Sequence, residues 1–222
     1  MITFTTKGFD AAIKSLGNLQ KQVEFAASKA LNATGKAVAD AMPAEIERAI
    51  DRPTPFTKKG VRVLRYANKG KLETTVGFAT AQARYMRWQV EGGTHNPGPA
   101  GLKIPAAINL DAFGNIPKGA ITKLIAVARK EGKLAKATSR RVKVSNKVEL
   151  FYGDPKDLAG KPWPHGIYKV TNGQLIPLVI FPVTAARYRP RLDFPRIAEN
   201  IISREWPRQF EIAMANALST AR

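Results

Sequence analysis

Residues 166–183, GIYKVTNGQLIPLVIFPV, constrain the fold more than any other stretch of the chain. Asn172-Gly173 separates two runs of β-forming residues, and an Asn-Gly pair suits a type I′ turn because both central residues need positive φ. The segment predicts a β-hairpin. Its second arm, LIPLVIFPV, is apolar at nearly every position, more than a sheet with one solvated face requires. Yet Pro177 and Pro182 each remove a ladder donor, which favours an edge. The strand is apolar on both faces and still reads as marginal to its sheet.

Helical periodicity flanks this hairpin at both ends of the chain. From Gly8 to about Ile50 the pattern is helical, with a break expected near Gly17-Asn18 and a kink or second break at Pro43. Val23, Ala27, Ala30, Leu31, Thr34, Ala37, Val38, Ala41 and Met42 recur at spacings of three and four, one stripe of a helix. The stripe is mostly alanine, so a neighbouring backbone can approach closely. It suits a core helix under a sheet, or a helix packing on symmetry mates. After DRPTPFTKKG, the runs VRVLRYA and LETTVGFAT, joined by NKGK, predict a first hairpin. In YMRWQVEGGTHNPGP, Tyr85, Trp88 and Val90 are expected on the sheet, with Gly92 and Gly93 ending the element. GAITKLIAVARKEGK reads as a helix with Ile121, Leu124, Ile125 and Ala128 on its apolar face, and KVELFYGD as a strand. In the last thirty residues Asp193 is the expected N-cap, with Pro195 in the first turn. Ile197, Ile201, Phe210, Ala213, Met214, Ala217 and Leu218 form the expected buried stripe, kinked at Pro207.

Charge narrows the partners. The chain has 222 residues, 36 Lys plus Arg against 17 Asp plus Glu, no Cys and two His. A net charge of +19 makes self-repulsion substantial and points to something acidic: nucleic acid, an anionic membrane or a negatively charged protein. Residues 118–147 hold ten Lys or Arg and one acid, Glu131. Lys133, Lys136, Arg140, Arg141 and Lys143 lie in LAKATSRRVKVSN and its approach, expected as loop or arm. Arg187, Arg189, Arg191 and Arg196 form a second cluster around Tyr188, which is placed to stack on a base or a guanidinium. Contact with phosphates, or with an acidic protein surface, follows from these cations. Sequence-specific reading does not, because no helix-turn-helix, zinc finger or ribonucleoprotein motif frames them. Zero cysteine removes disulfides and thiolate chemistry and fits synthesis in a reducing cytoplasm. The N-terminus lacks the blocks of a signal peptide, and no run approaches about 20 apolar residues, so no membrane is expected as a partner.

Catalytic constellations are missing from the pattern. His95 and His165 sit in loops beside Pro and Gly, with no acid or histidine at metal-ligand spacing. There is no Walker loop, no G-x-S-x-G elbow and no H-E-x-x-H. The expectation is a protein that is not an enzyme and needs no cofactor or metal.

Three stretches resemble the minor tail protein Z family of tailed bacteriophages, the lambda-type tail-completion proteins. They are KALNATGKAVADAMPAEI before PFTKKGVRV, then GIYKVTNGQLIPLVIFPV, then the final proline-broken helix. RWQVEGGTHN is also similar to the VE-x-GT segment of a related group of phage tail components. The resemblance implies a structural virion protein at the tail–head junction, made in the cytoplasm of the bacterial host. It completes the head-proximal end of the tail, beside terminator, tail-tube or tape-measure proteins and head–tail connector proteins, as a homo-oligomeric ring whose simplest form is a hexamer. It implies, too, that the second face of the apolar hairpin meets a neighbouring subunit. The alternative is that the chain's own helices and insert cover both faces. Val179, Ile180, Trp206 and Phe210 are the candidate subunit-interface residues, and the basic residues above are candidates for contact with genomic DNA or an acidic ring. The fold expected is α+β: one domain, 1–222, with an antiparallel sheet of about four to six strands packed on long N- and C-terminal helices, and a basic insertion at about 94–147. A sequence-independent nucleic-acid-binding protein and a nuclease remain the other classes.

Overall fold

The alanine-rich stripe folds as its spacing dictates, into one helix of 30 residues from Gln20 to Ala49. A computed structural model describes residues 1–5, 20–131, 150–155, 163–171 and 174–219. In chain order the elements begin β1 (Ile2–Thr5), α1 (Gln20–Ala49), α2 (Pro55–Lys58), β2 (Val61–Arg65), β3 (Glu73–Phe78), α3 (Thr80–Val90) and β4 (Gly93–His95). They continue with β5 (Ile104–Pro105), α4 (Ala120–Glu131), β6 (Leu150–Gly153), β7 (Gly166–Thr171), β8 (Gln174–Ile180), β9 (Ala186–Tyr188) and α5 (Phe194–Ser219). The fold is α+β with antiparallel sheets. It divides into two compact units: Met1–Gly93 with Tyr188–Arg222, and Thr94–Arg187. β4 and β9, on which the chain leaves the first unit and returns, pair with each other.

Unit 1 is built on α1. Val23, Ala27, Ala30, Leu31, Thr34, Val38 and Met42 of the expected stripe are buried, joined by Ala26 and Ile46. Pro43 does not interrupt the helix. Its lost hydrogen bond and ring clash cost about 3 kcal/mol, and the burial of Met42 and Ile46 on either side offsets them. At Gly35 a Cβ would lie 2.6 Å from Thr74 Cγ2, so only glycine lets the sheet come this close. That sheet has the order β1-β3-β2 and is antiparallel throughout. The expected first hairpin is β2–β3; β1, which the sequence pattern did not suggest, pairs along the other edge of β3. Asn32 of α1 fastens the hairpin: Nδ2 donates to the Ala67 carbonyl at 2.9 Å, while Oδ1 accepts from Ala67 N at 2.7 Å and from Thr74 Oγ1 at 2.9 Å.

α3 corrects part of one expectation. Val90 packs on the core of unit 1 as expected, on the face it shares with buried Gln82 and Met86. Tyr85 is 40% exposed, one residue and so about 100° around the helix from Met86, and Trp88 is half-buried. The helix ends as expected, with Gly92 at φ +70°.

α5 begins at Asp193, whose Oδ1 accepts from Arg196 N at 3.3 Å, and it packs on α1. It too runs uninterrupted past its proline, Pro207. Phe194, Ala198 and Ala217 are buried; Ile197, Ile201, Phe210, Ala213 and Met214 are half-buried. Leu218, expected in the stripe, is exposed, because it lies one residue and therefore about 100° around the helix from buried Ala217. Val38, Met42, Ile46, Val76, Met86 and Phe194 meet in one core, with Phe194 stacked at a tilt 5.7 Å from Phe78.

Unit 2 holds the Asn-Gly hairpin in a second antiparallel sheet, order β5-β8-β7-β6. Thr171 pairs with Gln174 across the turn, whose two residues lie outside those described. β8 is not an edge strand, since β5 borders it, with Ala106 N donating to Leu178 O and Ala107 N to Pro177 O. The proline is accommodated by a bulge. Ile167 faces Val179 but Tyr168 faces Pro177, which leaves Leu178 as the extra residue. α4 supplies Ile121, Leu124 and Ile125 to a core around Ile167, Val179 and Phe181, and Ala128 is buried as expected.

In place of the single sheet of about four to six strands, the described residues form sheets of three and four strands and the two-stranded pair of β4 and β9. The two long helices belong to the unit of the three-stranded sheet. The hairpin carries its own covering helix, and the second compact unit runs from Thr94 to Arg187. The expected break at Gly17-Asn18 and the basic loop following α4 fall outside the described residues.

Candidate interaction surfaces

Of the basic residues singled out in the sequence, Lys133, Lys136, Arg140, Arg141 and Lys143 lie outside the described residues. Arg187, Arg189 and Arg191 are exposed and, among the described residues, make no ion pair. Arg187 is on β9 in unit 2, and the other two follow it in unit 1. Within unit 1 the segment 188–192 is strapped to the end of α3. Arg191 N and Leu192 N both donate to the Gln89 carbonyl, at 2.7 and 2.9 Å. Gly92 makes room for the strap: a Cβ there would lie 2.8 Å from Pro190 Cδ. Tyr188 stacks on Trp88 at 5.9 Å and 24°, and the Arg87 guanidinium sits 4.2 Å from the Trp88 centroid. The aromatic partner of Tyr188 is therefore Trp88 from the same unit. Arg87, Trp88 and Tyr188 form a cation–aromatic cluster, with Arg189 and Arg191 next along the strap, and the part played by Arg87 and Trp88 was missed because it depends on a pairing across about a hundred residues of chain.

Arg196 is committed elsewhere. Its Nε donates to Asp193 Oδ2 at 2.8 Å, and this bond, with the backbone bond at the cap, holds the Asp193 carboxyl below the usual carboxylate range. Further along α5, hydrogen bonds from Arg204 and Gln209 likewise lower the Glu205 carboxyl.

The candidate interface residues separate by burial. Val179 is 0% exposed, enclosed by its own chain among Ile167 and Phe181, so it offers no surface to a subunit. Ile180 is half-buried. Trp206 and Phe210 stack on each other across one turn of α5 at 5.6 Å and 30°, and both are half-buried. Exposed apolar side chains that the sequence did not single out lie elsewhere: Leu64, Tyr66 and Phe56 in unit 1, and Ile104, Phe113, Ile176 and Val183 in unit 2.

His165 does have an acidic neighbour. The β6–β7 pairing brings Asp154 to 3.1 Å from its Nδ1, and the ring meets Tyr152 edge-on at 5.1 Å. Eleven residues of sequence separate the two, too far for a spacing rule to find. Nearby, the Tyr168 hydroxyl donates to the Pro164 carbonyl, and burial, aided by the charge of Asp154, raises its pKa. His95 lies on β4. Among the described residues no three of His, Cys, Asp and Glu gather to hold a metal ion, and no helix is long and apolar enough to cross a membrane.

Compared with models of known protein families, with curated proteins and with solved structures, the chain matches none.

Proposed function

We propose that this is a structural virion protein that completes the head-proximal end of a phage tail and supports head–tail joining, without chemistry of its own. The observation that carries the proposal is where the family-like stretches lie. The alanine-rich helix with its PFTKKGVRV continuation and the proline-containing last helix form unit 1, α1 against α5, and the Asn-Gly hairpin forms the sheet of unit 2. The exposed cations and apolar side chains suit a protein that works by surface contact. In this role it meets terminator, tail-tube or tape-measure proteins and the head–tail connector, as a ring whose simplest form is a hexamer. Its site is the virion neck, after synthesis in the bacterial cytoplasm. Deleting its coding sequence from the genome that carries it should leave DNA-filled heads beside unjoined tails in electron micrographs, restored by expression in trans. Normal particles from the deletion would refute the role.

One observation favours a second reading, sequence-independent nucleic-acid binding. It is the Arg87–Trp88–Tyr188 cluster with Arg189 and Arg191 next along the strap, a combination of cations and ring faces that suits a polynucleotide. Under that reading the isolated protein binds duplex and single strands tightly, with an affinity that falls steeply with salt.

A further inference from the structure

Unit 2 carries an open groove with a consistent chemistry. Ala107, Ile108, Pro117, Ala120, Leu124 and Leu178 supply apolar surface to a cavity of about 520 Å³, and its polar lining is Asn109, Lys123 and Lys169. Pro117 also lines a second cavity of about 420 Å³ at the opening turn of α4, where Lys103 and Lys118 stand. All four lysines are exposed, and among the described residues none makes an ion pair. Asp111 and Asp154 of the same unit are engaged elsewhere. Asp111 Oδ1 accepts from Phe113 N and Asn115 N at 2.9 Å, and Asp154 faces His165. The apolar surface continues past the groove, because Ile176 is the cross-strand partner of Lys169, shares its face of the sheet and is 38% exposed.

From this geometry we infer that the groove docks an acidic, aliphatic-anchored segment of a partner protein. Aliphatic side chains of the segment fill the trough over Leu124 and Leu178, and its carboxylates meet Lys123 and Lys169, with Lys103 and Lys118 extending the positive field. Charge complementarity decides the sign of the occupant, and the apolar floor decides its kind. A nucleic acid would satisfy the lysines through phosphate and leave the aliphatic trough unfilled. The inference goes beyond the tail-completion role and does not depend on it, since it rests on unit 2 alone.

The full-length protein is titrated against a fluorescein-labelled acidic peptide of about fifteen residues, with Leu and Ile one helical turn apart among Glu, and anisotropy is read near physiological salt. Micromolar binding is expected. Lys123→Glu with Lys169→Glu should weaken it at least about tenfold, and Ala107→Glu, which sets an acid at an exposed position in the trough, should do the same. Lys21→Glu makes a charge change of the same kind at an exposed position of unit 1, outside the groove, and should leave affinity within about twofold. All of these positions are exposed, so unchanged thermal unfolding is the check that each variant is folded. Four results overturn the inference: no binding at about millimolar peptide; equal binding after Leu and Ile are replaced by Ser; equal loss from Lys21→Glu; or displacement of the peptide by a single-stranded oligonucleotide that binds as tightly through the same lysines. Failure of the deletion test above would leave this result standing, and failure here would leave the tail role standing.

Discussion

In unit 1 two long helices, α1 and α5, pack on each other and α1 covers a three-stranded sheet, so that Val38, Met42, Ile46, Val76 and Phe194 are all at most 1% exposed. In unit 2 a four-stranded sheet has one helix of 12 residues on it, and its buried cluster is Ile167, Val179 and Phe181, ringed by half-buried side chains. The same chemistry of apolar periodicity produces both, and the difference lies in how much covering surface each sheet receives. Unit 1 encloses its central apolar side chains in one core, while Phe56, Leu64 and Tyr66 stay exposed at its surface. Unit 2 leaves a trough of apolar side chains in reach of solvent, ringed by lysines without acidic partners among the described residues. A closed core predicts large, local stability losses on truncation; an open one predicts a sharp contrast between neighbouring positions.

The largest effect is expected at Phe194, 1% exposed and in contact with Phe78. Phe194→Ala should cost about 3–5 kcal/mol, because the ring leaves a cavity between rigid elements that cannot collapse to fill it. Urea unfolding read by Trp88 and Trp206, which belong to unit 1, reports that loss. The fluorescence of Trp163, which belongs to unit 2, should keep its midpoint when the other two tryptophans are replaced by Phe. A common shift at all three would show that the two cores unfold as one and would erase the contrast.

The next effect sharpens the contrast inside unit 2. Val179→Glu places a carboxylate at a position with no exposure and no cation in its cluster, which should unfold the unit. Ile180→Glu, one residue on and half-buried, should cost about 1 kcal/mol and leave the fold intact. Circular dichroism separates the two outcomes, and equal losses would show that β8 is covered alike on both faces.

How much of this was legible in the sequence follows from how local each signal is. The stripe of α1, the β2–β3 hairpin, the Asn-Gly hairpin and the Ile121–Ala128 face of α4 depend on residues within one or two turns of each other, and each appears where its spacing put it. Pro43 and Pro207 carry a local penalty, yet each helix continues past its proline, so no break falls there, while Pro177 found a bulge instead of an edge. What stayed hidden was pairing between distant segments: β1 against β3, Asp154 against His165, and Tyr188 against Trp88. Both surfaces described above depend on such pairings. Arg187, Arg189 and Arg191 were visible as a charge run, but the cation–aromatic cluster requires α3, and the groove requires the loop after β5, α4 and β8 to converge.

The smallest effect concerns pH, and it separates the units by direction. Asp193 and Glu205, both on or capping α5 in unit 1, have carboxyls lowered by hydrogen bonds, from Arg196 in the first case and from Arg204 and Gln209 in the second. In acid the unfolded chain therefore takes up protons before the folded one does. The stabilisation is present above the unfolded carboxylate range of about 4 and is lost as pH falls through the lower folded values. Tyr168 in unit 2 is shifted the other way: burial raises it, so its contribution holds below the unfolded tyrosine value of about 10 and is lost as pH rises through the folded one. Lys36, raised by its bond to Asp40, adds an alkaline contribution to unit 1, but at an exposed site where solvent screens it. Unit 1 should thus weaken mainly toward acid and unit 2 toward alkali. Asp193→Asn with Glu205→Gln should flatten the acid limb of the melting temperature read by Trp88 and Trp206, and Tyr168→Phe should flatten the alkaline limb read by Trp163. In ultraviolet difference titration Tyr168 should be among the last tyrosines to ionise. An acid limb unchanged in the double variant would mean that the hydrogen-bonded carboxylates of Asp193 and Glu205 contribute nothing measurable, and the acid sensitivity of unit 1 would then have to arise from the repulsion of its many cations as the acids are neutralised.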